Sequence, residues 1–105
     1  MDYEPNAFKV TLMFPMRDNQ GRPFSRSVWM WWRHEMTRLL SGFTDAGEVE
    51  GYWQRQTDRN KIVFIVLKNE SKLDELRSFL REARTRFVQD AMYFEFHPVF
   101  QEDIR

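Results

Sequence analysis

The side chains that could carry out acid–base chemistry lie mainly in two segments of the sequence. Tyr93, Glu95 and His97 alternate near the C-terminus, and Glu50 and Tyr52 alternate in the middle of the chain. Side chains two residues apart point to the same face of a β-strand. We therefore predict that these five residues form a small-molecule site on one face of a sheet, where they could exchange protons with a ligand. The alternative interpretation is that these five residues only form the polar, solvent-facing side of two outer strands.

A second candidate site is the segment 17–26, which combines turn-forming and basic residues. Arg17, Asn19, Arg22 and Arg26 belong to this segment, which precedes a predicted helix. Because the first N–H groups of a helix attract anions, we predict that these four residues bind an anion. The alternative is an ordinary turn with solvated arginines, since the segment has one glycine and lacks the Lys-Ser/Thr pair of a phosphate loop.

The sequence predicts no metal site and no cofactor. It contains no cysteine, which excludes thiolate nucleophiles and cysteine-ligated metal centres. His34 and His97 are the two histidines, and His34 lies beside Glu35 rather than one helical turn from a second ligand. The sequence also lacks a glycine-rich nucleotide-binding motif.

The length and the net charge of the chain limit the number of domains and the kinds of partner that we expect. The 105 residues predict a single domain, residues 1–105. With 16 basic and 16 acidic residues the chain is formally neutral, so we do not expect it to bind nucleic acid through a global positive field. No apolar run approaches the roughly 20 residues that span a bilayer, and the acidic N-terminus is unlike a signal peptide. We therefore expect no membrane association and a cytoplasmic location.

The periodicity of apolar residues predicts six elements in the order β-α-β-β-α-β. Alternation favours strands, and spacings of three and four favour helices. The predicted elements are strand 8–16, helix 25–40, strand 44–56, a hairpin connection at 56–60, strand 62–67, a helix beginning at Ser71 and strand 93–99. This order is typical of an α+β, ferredoxin-like sandwich. We expect a four-stranded antiparallel sheet with two helices on one face and the first and third strands in its centre.

The helical patterns predict which side chains face the core. In the second helix the core face is expected to consist of Leu73, Leu76, Leu80, Ala83 and Phe87. In the first helix, Trp29 and Trp32 fall on the core stripe, whereas Trp31 falls on the outer face. Trp31 is therefore either an exposed interface anchor or a ring covered by an arginine.

The third strand predicts self-association. Residues 62–67 read Ile-Val-Phe-Ile-Val-Leu, so apolar side chains point to both faces of the strand. Two helices on one side of the sheet cover only one of these faces. The simplest cover for the open face is a second copy of the protein, which predicts a dimer or higher oligomer.

Three short motifs resemble those of an uncharacterised family of small stand-alone bacterial proteins. They are Asn19-Gln20-Gly21-Arg22-Pro23-Phe24, Gly42-Phe43-Thr44 and Glu50-Gly51-Tyr52-Trp53. The resemblance covers about the first half of the chain and agrees with the second half in layout. It implies the ferredoxin-like fold, and it does not indicate any particular activity.

Three functions are compatible with this sequence. The leading hypothesis is a non-catalytic, homo-oligomeric binding or regulatory domain, because no complete catalytic constellation is present. An alternative is a small enzyme of the dimeric α/β-barrel type, with a pocket between paired sheets. A third is a nucleic-acid-binding domain, which the single aromatic residue and absent glycine in residues 61–68 argue against.

Overall fold

The computed structural model describes residues 3–105, except for the side chain of Trp53. The chain forms four strands and two helices in the predicted order. Their bounds are β1 Ala7–Pro15, α1 Arg26–Leu39, β2 Thr44–Trp53, β3 Gln56–Leu67, α2 Ser71–Arg86 and β4 Tyr93–Val99.

The four strands form one antiparallel sheet in the order β2-β3-β1-β4. The first and third strands therefore occupy the centre, as predicted. Two crossovers through α1 and α2 complete the split β-α-β arrangement, which confirms the ferredoxin-like fold. Since β2 and β4 are the two edges, about 14 Å separates them across the sheet.

The core lies between the sheet and the two helices. Val10, Leu12 and Phe14 of β1 are fully buried, and the ring of Phe14 contacts those of Trp32, Phe79 and Phe87. The predicted core face of α2 is confirmed, since all five of its residues are buried. Burial of one such side chain contributes about 1.5–3 kcal/mol, so this cluster is the main source of stability.

Trp31 is not exposed on the outer surface of α1. Its ring is half-buried, stacks on Phe79 of α2 with a centroid distance of 5.4 Å, and carries the guanidinium group of Arg86 at 4.9 Å. Of the two interpretations of this residue, a ring covered by an arginine is the correct one. The indole therefore joins the two helices.

The connection between β2 and β3 differs from the prediction. Residues 56–60 belong to β3, and the turn consists of Gln54 and Arg55, with φ angles of 47° and 67°. Two residues with positive φ make the tight turn that suits the twist of a hairpin. Because Asn-Gly or Asp-Gly is the usual signal for this turn, the Gln-Arg pair did not reveal it.

The hairpin formed by β2 and β3 extends past the helices. Side chains from Gln56 to Arg59 are exposed, and the molecule measures 53 × 31 × 26 Å. Its radius of gyration is 15.3 Å, against about 13 Å for a compact domain of this size. Between residues 3 and 105, neither helix has the length and apolar character needed to cross a membrane.

Candidate functional site

The sheet face opposite the helices, called the open face below, carries three of the predicted site residues. In the register of β1 with β4, Tyr93 pairs with Met13, Glu95 with Thr11 and His97 with Lys9. Phe94 and Phe96 point to the other face, where the guanidinium group of Arg77 lies about 5.5 Å from each ring. The predicted alternation along β4 is therefore confirmed.

Tyr93 and Glu95 are joined by a hydrogen bond. The phenol of Tyr93 donates to Oε2 of Glu95 at 2.5 Å. This bond is the main cause of the raised pKa of Tyr93, because the proton is held between the phenol and a negative charge. Desolvation is the second cause, and it raises the pKa further. The pair therefore favours a protonated phenol rather than a phenolate base.

Glu50 and Tyr52 do not join these three residues, which corrects the predicted placement. A β-bulge between Asp45 and Glu48 inserts one extra residue into β2. Beyond it, Glu50 pairs with Arg59 and Tyr52 pairs with Thr57. Arg59 and Thr57 point to the helix side of the sheet, because they alternate along β3 with the residues of the open face. Glu50 and Tyr52 therefore point to the helix side as well. A shift of one residue moves every later side chain to the other side of a sheet.

The centre of the open face is apolar and only partly covered. Met13, Ile62, Phe64 and Val66, called the apolar stripe below, point to this face from β1 and β3. Val66 is 47% exposed, and the ammonium group of Lys9 lies 5.0 Å above the ring of Phe64. Lysine stems commonly cover apolar surface in this way while the charge stays in water.

The predicted anion loop is closed by its own carboxylate. Oδ1 of Asp18 accepts hydrogen bonds from the backbone N–H groups of Gln20 and Arg22, both at 2.9 Å, and Oδ2 pairs with the Arg22 side chain at 3.2 Å. These bonds, first among them the one from the Arg22 backbone, lower the pKa of Asp18. The donors that we assigned to a bound anion are thus satisfied within the loop.

The four predicted anion-site residues do not converge. Arg22 pairs with Asp18, and Arg26 lies in the first turn of α1. Arg17 and Asn19, in contrast, line a cleft of about 820 Å³ between this loop and the β2–β3 hairpin. The cleft also contains Arg55 and Arg59, which were not predicted as site residues because no local sequence motif marks them.

No metal centre is assembled in the described part of the chain. Among residues 3–105, no group of three or more His, Asp or Glu side chains could hold a metal ion. His34 is an exposed residue of α1.

Comparisons with known proteins support the fold. No protein-family model and no curated protein matches the chain. Its structure is similar to that of a phage SAM lyase in complex with S-methyl-5'-thioadenosine, with a TM-score of 0.61 and 13% identity over 93% of this chain and 85% of that one. The C-terminal domain of the MgtC protein from Mycobacterium tuberculosis, solved in solution, gives a TM-score of 0.35 and 13% identity over 100% of this chain and 99% of that one. At 13% identity the first likeness shows the fold alone.

Proposed function

We propose that this chain is a non-catalytic, self-associating binding domain in which the open faces of two copies pack against each other. The observation that carries the proposal is the apolar stripe, which the helices leave uncovered. Leaving such side chains in water forgoes about 1.5–3 kcal/mol for each one that a partner could bury.

A second copy suits this face better than a charged partner. The chain is formally neutral, so two copies meet without net repulsion. Lys9 and Glu95 lie on adjacent strands of the open face. In a two-fold symmetric dimer, the same surface of both copies forms the interface, and the two surfaces are rotated by half a turn relative to each other. Each lysine can therefore approach the glutamate of the other copy.

The size of the face is sufficient for a specific contact. Four strands about 4.8 Å apart and nine residues about 3.3 Å apart give roughly 570 Å² for one copy. Two copies then bury roughly 1,100 Å², slightly above the approximately 1,000 Å² that a biological interface needs.

The experiment measures the molar mass by light scattering over a wide concentration range. The natural chain is expected to form a dimer or higher oligomer at micromolar concentration, and Val66→Glu is expected to be monomeric. Val66 pairs with Lys9, so a glutamate at this position gains a cross-strand partner and the monomer should remain folded. Met30→Glu is the matched control, because Met30 is 59% exposed on α1.

Two results would contradict the proposal. One is a monomeric mass for the natural chain at every concentration. The other is dissociation of the oligomer by Met30→Glu but not by Val66→Glu, which would place the interface on the helices. Circular dichroism of each variant separates loss of assembly from loss of fold.

A second candidate function is a small enzyme with a pocket between the paired sheets. It is favoured by the bonded pair of Tyr93 and Glu95, which shares the open face with His97. The phage SAM lyase is a protein of similar fold that was solved with a small molecule, S-methyl-5'-thioadenosine. A rise in melting temperature with that compound, abolished by Glu95→Gln, would favour this alternative; no rise would count against this ligand.

A nucleic-acid-binding role receives less support. Within β1, β3 and β4, all fully described, the open face carries two aromatic rings, those of Phe64 and Tyr93, and β1 separates the strands that bear them. Single-stranded nucleic acids are usually stacked on several aromatic rings in a basic groove. We therefore do not propose this function.

A further inference from the structure

The cleft between the loop after β1 and the β2–β3 hairpin lies outside the proposed interface. Its volume of about 820 Å³ falls within the range of roughly 300–1,000 Å³ that is typical of ligand sites. Apart from Pro15 and Gly21, all the described residues that line it have polar or charged side chains. A ligand of this cleft must therefore be polar.

Three arginines give the cleft a positive character. The side chain of Arg55 makes no hydrogen bond or ion pair with any other residue in the described part of the chain. Arg17 uses only Nη1, which donates to the carbonyl of Gly21 at 3.1 Å, and Arg59 uses only Nε, which pairs with Glu48 at 3.2 Å. Most of the N–H groups on the three guanidinium groups thus remain available to a ligand.

The acidic residues of the cleft do not cancel this charge. Both oxygens of Asp18 are engaged by the loop and by Arg22. Asp58 is the other carboxylate in the lining, and it lies on the exposed part of the hairpin. Arg59 is paired with Glu48, so the guanidinium groups of Arg17 and Arg55, which form no ion pair with the described residues, outnumber the remaining carboxylate of Asp58.

One wall of the cleft is held in place before any ligand binds. The backbone N–H of Met16 donates to the carbonyl of Arg59 at 2.9 Å, which ties the start of the loop to the hairpin. The backbone N–H of Asp18 donates to the carbonyl of Arg22 at 2.7 Å and closes the loop. A preformed wall lowers the entropy that a ligand must remove on binding.

We propose that this cleft binds a compact anion that carries two or more phosphate or carboxylate groups. The rigid fork of each guanidinium group matches the oxygens of such groups in a bidentate manner. Among the described residues, the lining contributes no aromatic side chain on which a nucleobase could stack. The recognition comes from side chains, and not from the loop N–H groups that Asp18 occupies.

The experiment titrates the 105-residue chain with pyrophosphate and, separately, with citrate, using isothermal calorimetry at fixed ionic strength. We expect saturable binding with one ligand per chain for at least one of them. The two titrations show whether the cleft binds phosphate groups, carboxylate groups or both. Affinity is expected to fall as salt rises, because the contacts are charged.

Variants locate the binding site. Arg55→Gln and Arg59→Gln are each expected to weaken binding by about tenfold, the loss that corresponds to one charged hydrogen bond. Arg81→Gln removes an exposed arginine of α2 that lies outside the cleft, and it should bind like the natural chain. The Arg55 side chain is exposed and forms no hydrogen bond or ion pair with the described residues, so its replacement should leave the melting temperature nearly unchanged.

Two results would overturn this proposal. One is the absence of saturable binding by either probe, and the other is binding that Arg55→Gln and Arg59→Gln leave unchanged. Neither result bears on self-association, which is measured by molar mass and disrupted at Val66. The two proposals can therefore fail separately.

Discussion

The ammonium group of Lys61 donates to Oδ2 of Asp45 at 2.8 Å and lies 5.3 Å from the ring centroid of Trp32 on α1. The contact with Trp32 places both charged residues on the helix side of the sheet. Their hydrogen bond is also the main reason why the pKa of Asp45 is lowered. The ion pair thus links β2 to β3 across the bulge, since Asp45 precedes it and Lys61 pairs with Glu48 after it.

The bulge that follows depends on a glycine, which gives the first prediction. Gly47 has a φ angle of 86°, and its N–H donates to Oδ1 of Asp45 at 2.9 Å. A side chain at a positive φ costs about 1–2 kcal/mol, so Gly47→Ala should lower the free energy of unfolding by this amount. Denaturant titration measures the change.

Gly51 provides the matched control for this prediction. It lies in the same strand, has no positive φ and has no atom within 4 Å of an added Cβ. Gly51→Ala should therefore leave stability nearly unchanged or raise it slightly. Equal losses for the two variants would show that the conformation of Gly47 does not require glycine.

The bulge also explains why one part of the candidate site was predictable and another was not. Tyr93, Glu95 and His97 share a face because they alternate within one uninterrupted strand, a relation that the sequence shows directly. Uninterrupted alternation from Thr44, which pairs with Phe64, would place Glu50 on the open face as well. The extra residue in the bulge places Glu50 on the helix side instead. A single glycine in a strand indicates a possible bulge but does not give its position.

The fold was predictable because most elements have a regular apolar period, and residues 62–67 form an unbroken apolar run of strand length. The hairpin turn was not, since Gln54 and Arg55 are not typical turn residues. The arginine cleft was not predictable either, because it joins the loop at Arg17 to the distant hairpin at Arg59. Such contacts depend on strand register, which local patterns do not specify.

The second prediction concerns the core face of α2. Leu76 is fully buried and Leu80 is 6% exposed, whereas Arg81 is exposed on the next position of the helix. Leu76→Ala and Leu80→Ala should each lower the free energy of unfolding by about 2–5 kcal/mol. Arg81→Ala should change it by less than about 0.5 kcal/mol. Similar losses in thermal unfolding for all three would contradict the assigned face.

The third prediction concerns the ionisation of Tyr93. Its pKa is raised by the hydrogen bond to Glu95, so Glu95→Gln should lower it toward the ordinary value of a phenol. Ultraviolet absorbance of the tyrosinate, recorded as pH is raised, measures this change. Since the raised pKa favours the protonated folded state, its contribution to stability is present below about pH 10 and is lost as pH rises through the folded pKa. A titration curve that Glu95→Gln leaves unchanged would argue against this bond.

The fourth prediction concerns stability in acid. Asp18 has a lowered pKa, because the N–H of Arg22 and then that of Gln20 stabilise its charged form. A lowered pKa means that protonation is unfavourable in the folded state. The stability that Asp18 contributes is therefore present above about pH 4 and is lost as pH falls through the folded pKa.

Asp18→Asn tests this directly, because the amide oxygen can still accept both backbone bonds while the negative charge is removed. The variant should be less stable than the natural chain at neutral pH, and the difference should shrink between about pH 5 and about pH 2. Asp90→Asn changes an exposed carboxylate after α2 and serves as the control. Denaturant midpoints across this range measure the difference. A constant gap at all pH values would mean that the Asp18 charge does not stabilise the loop.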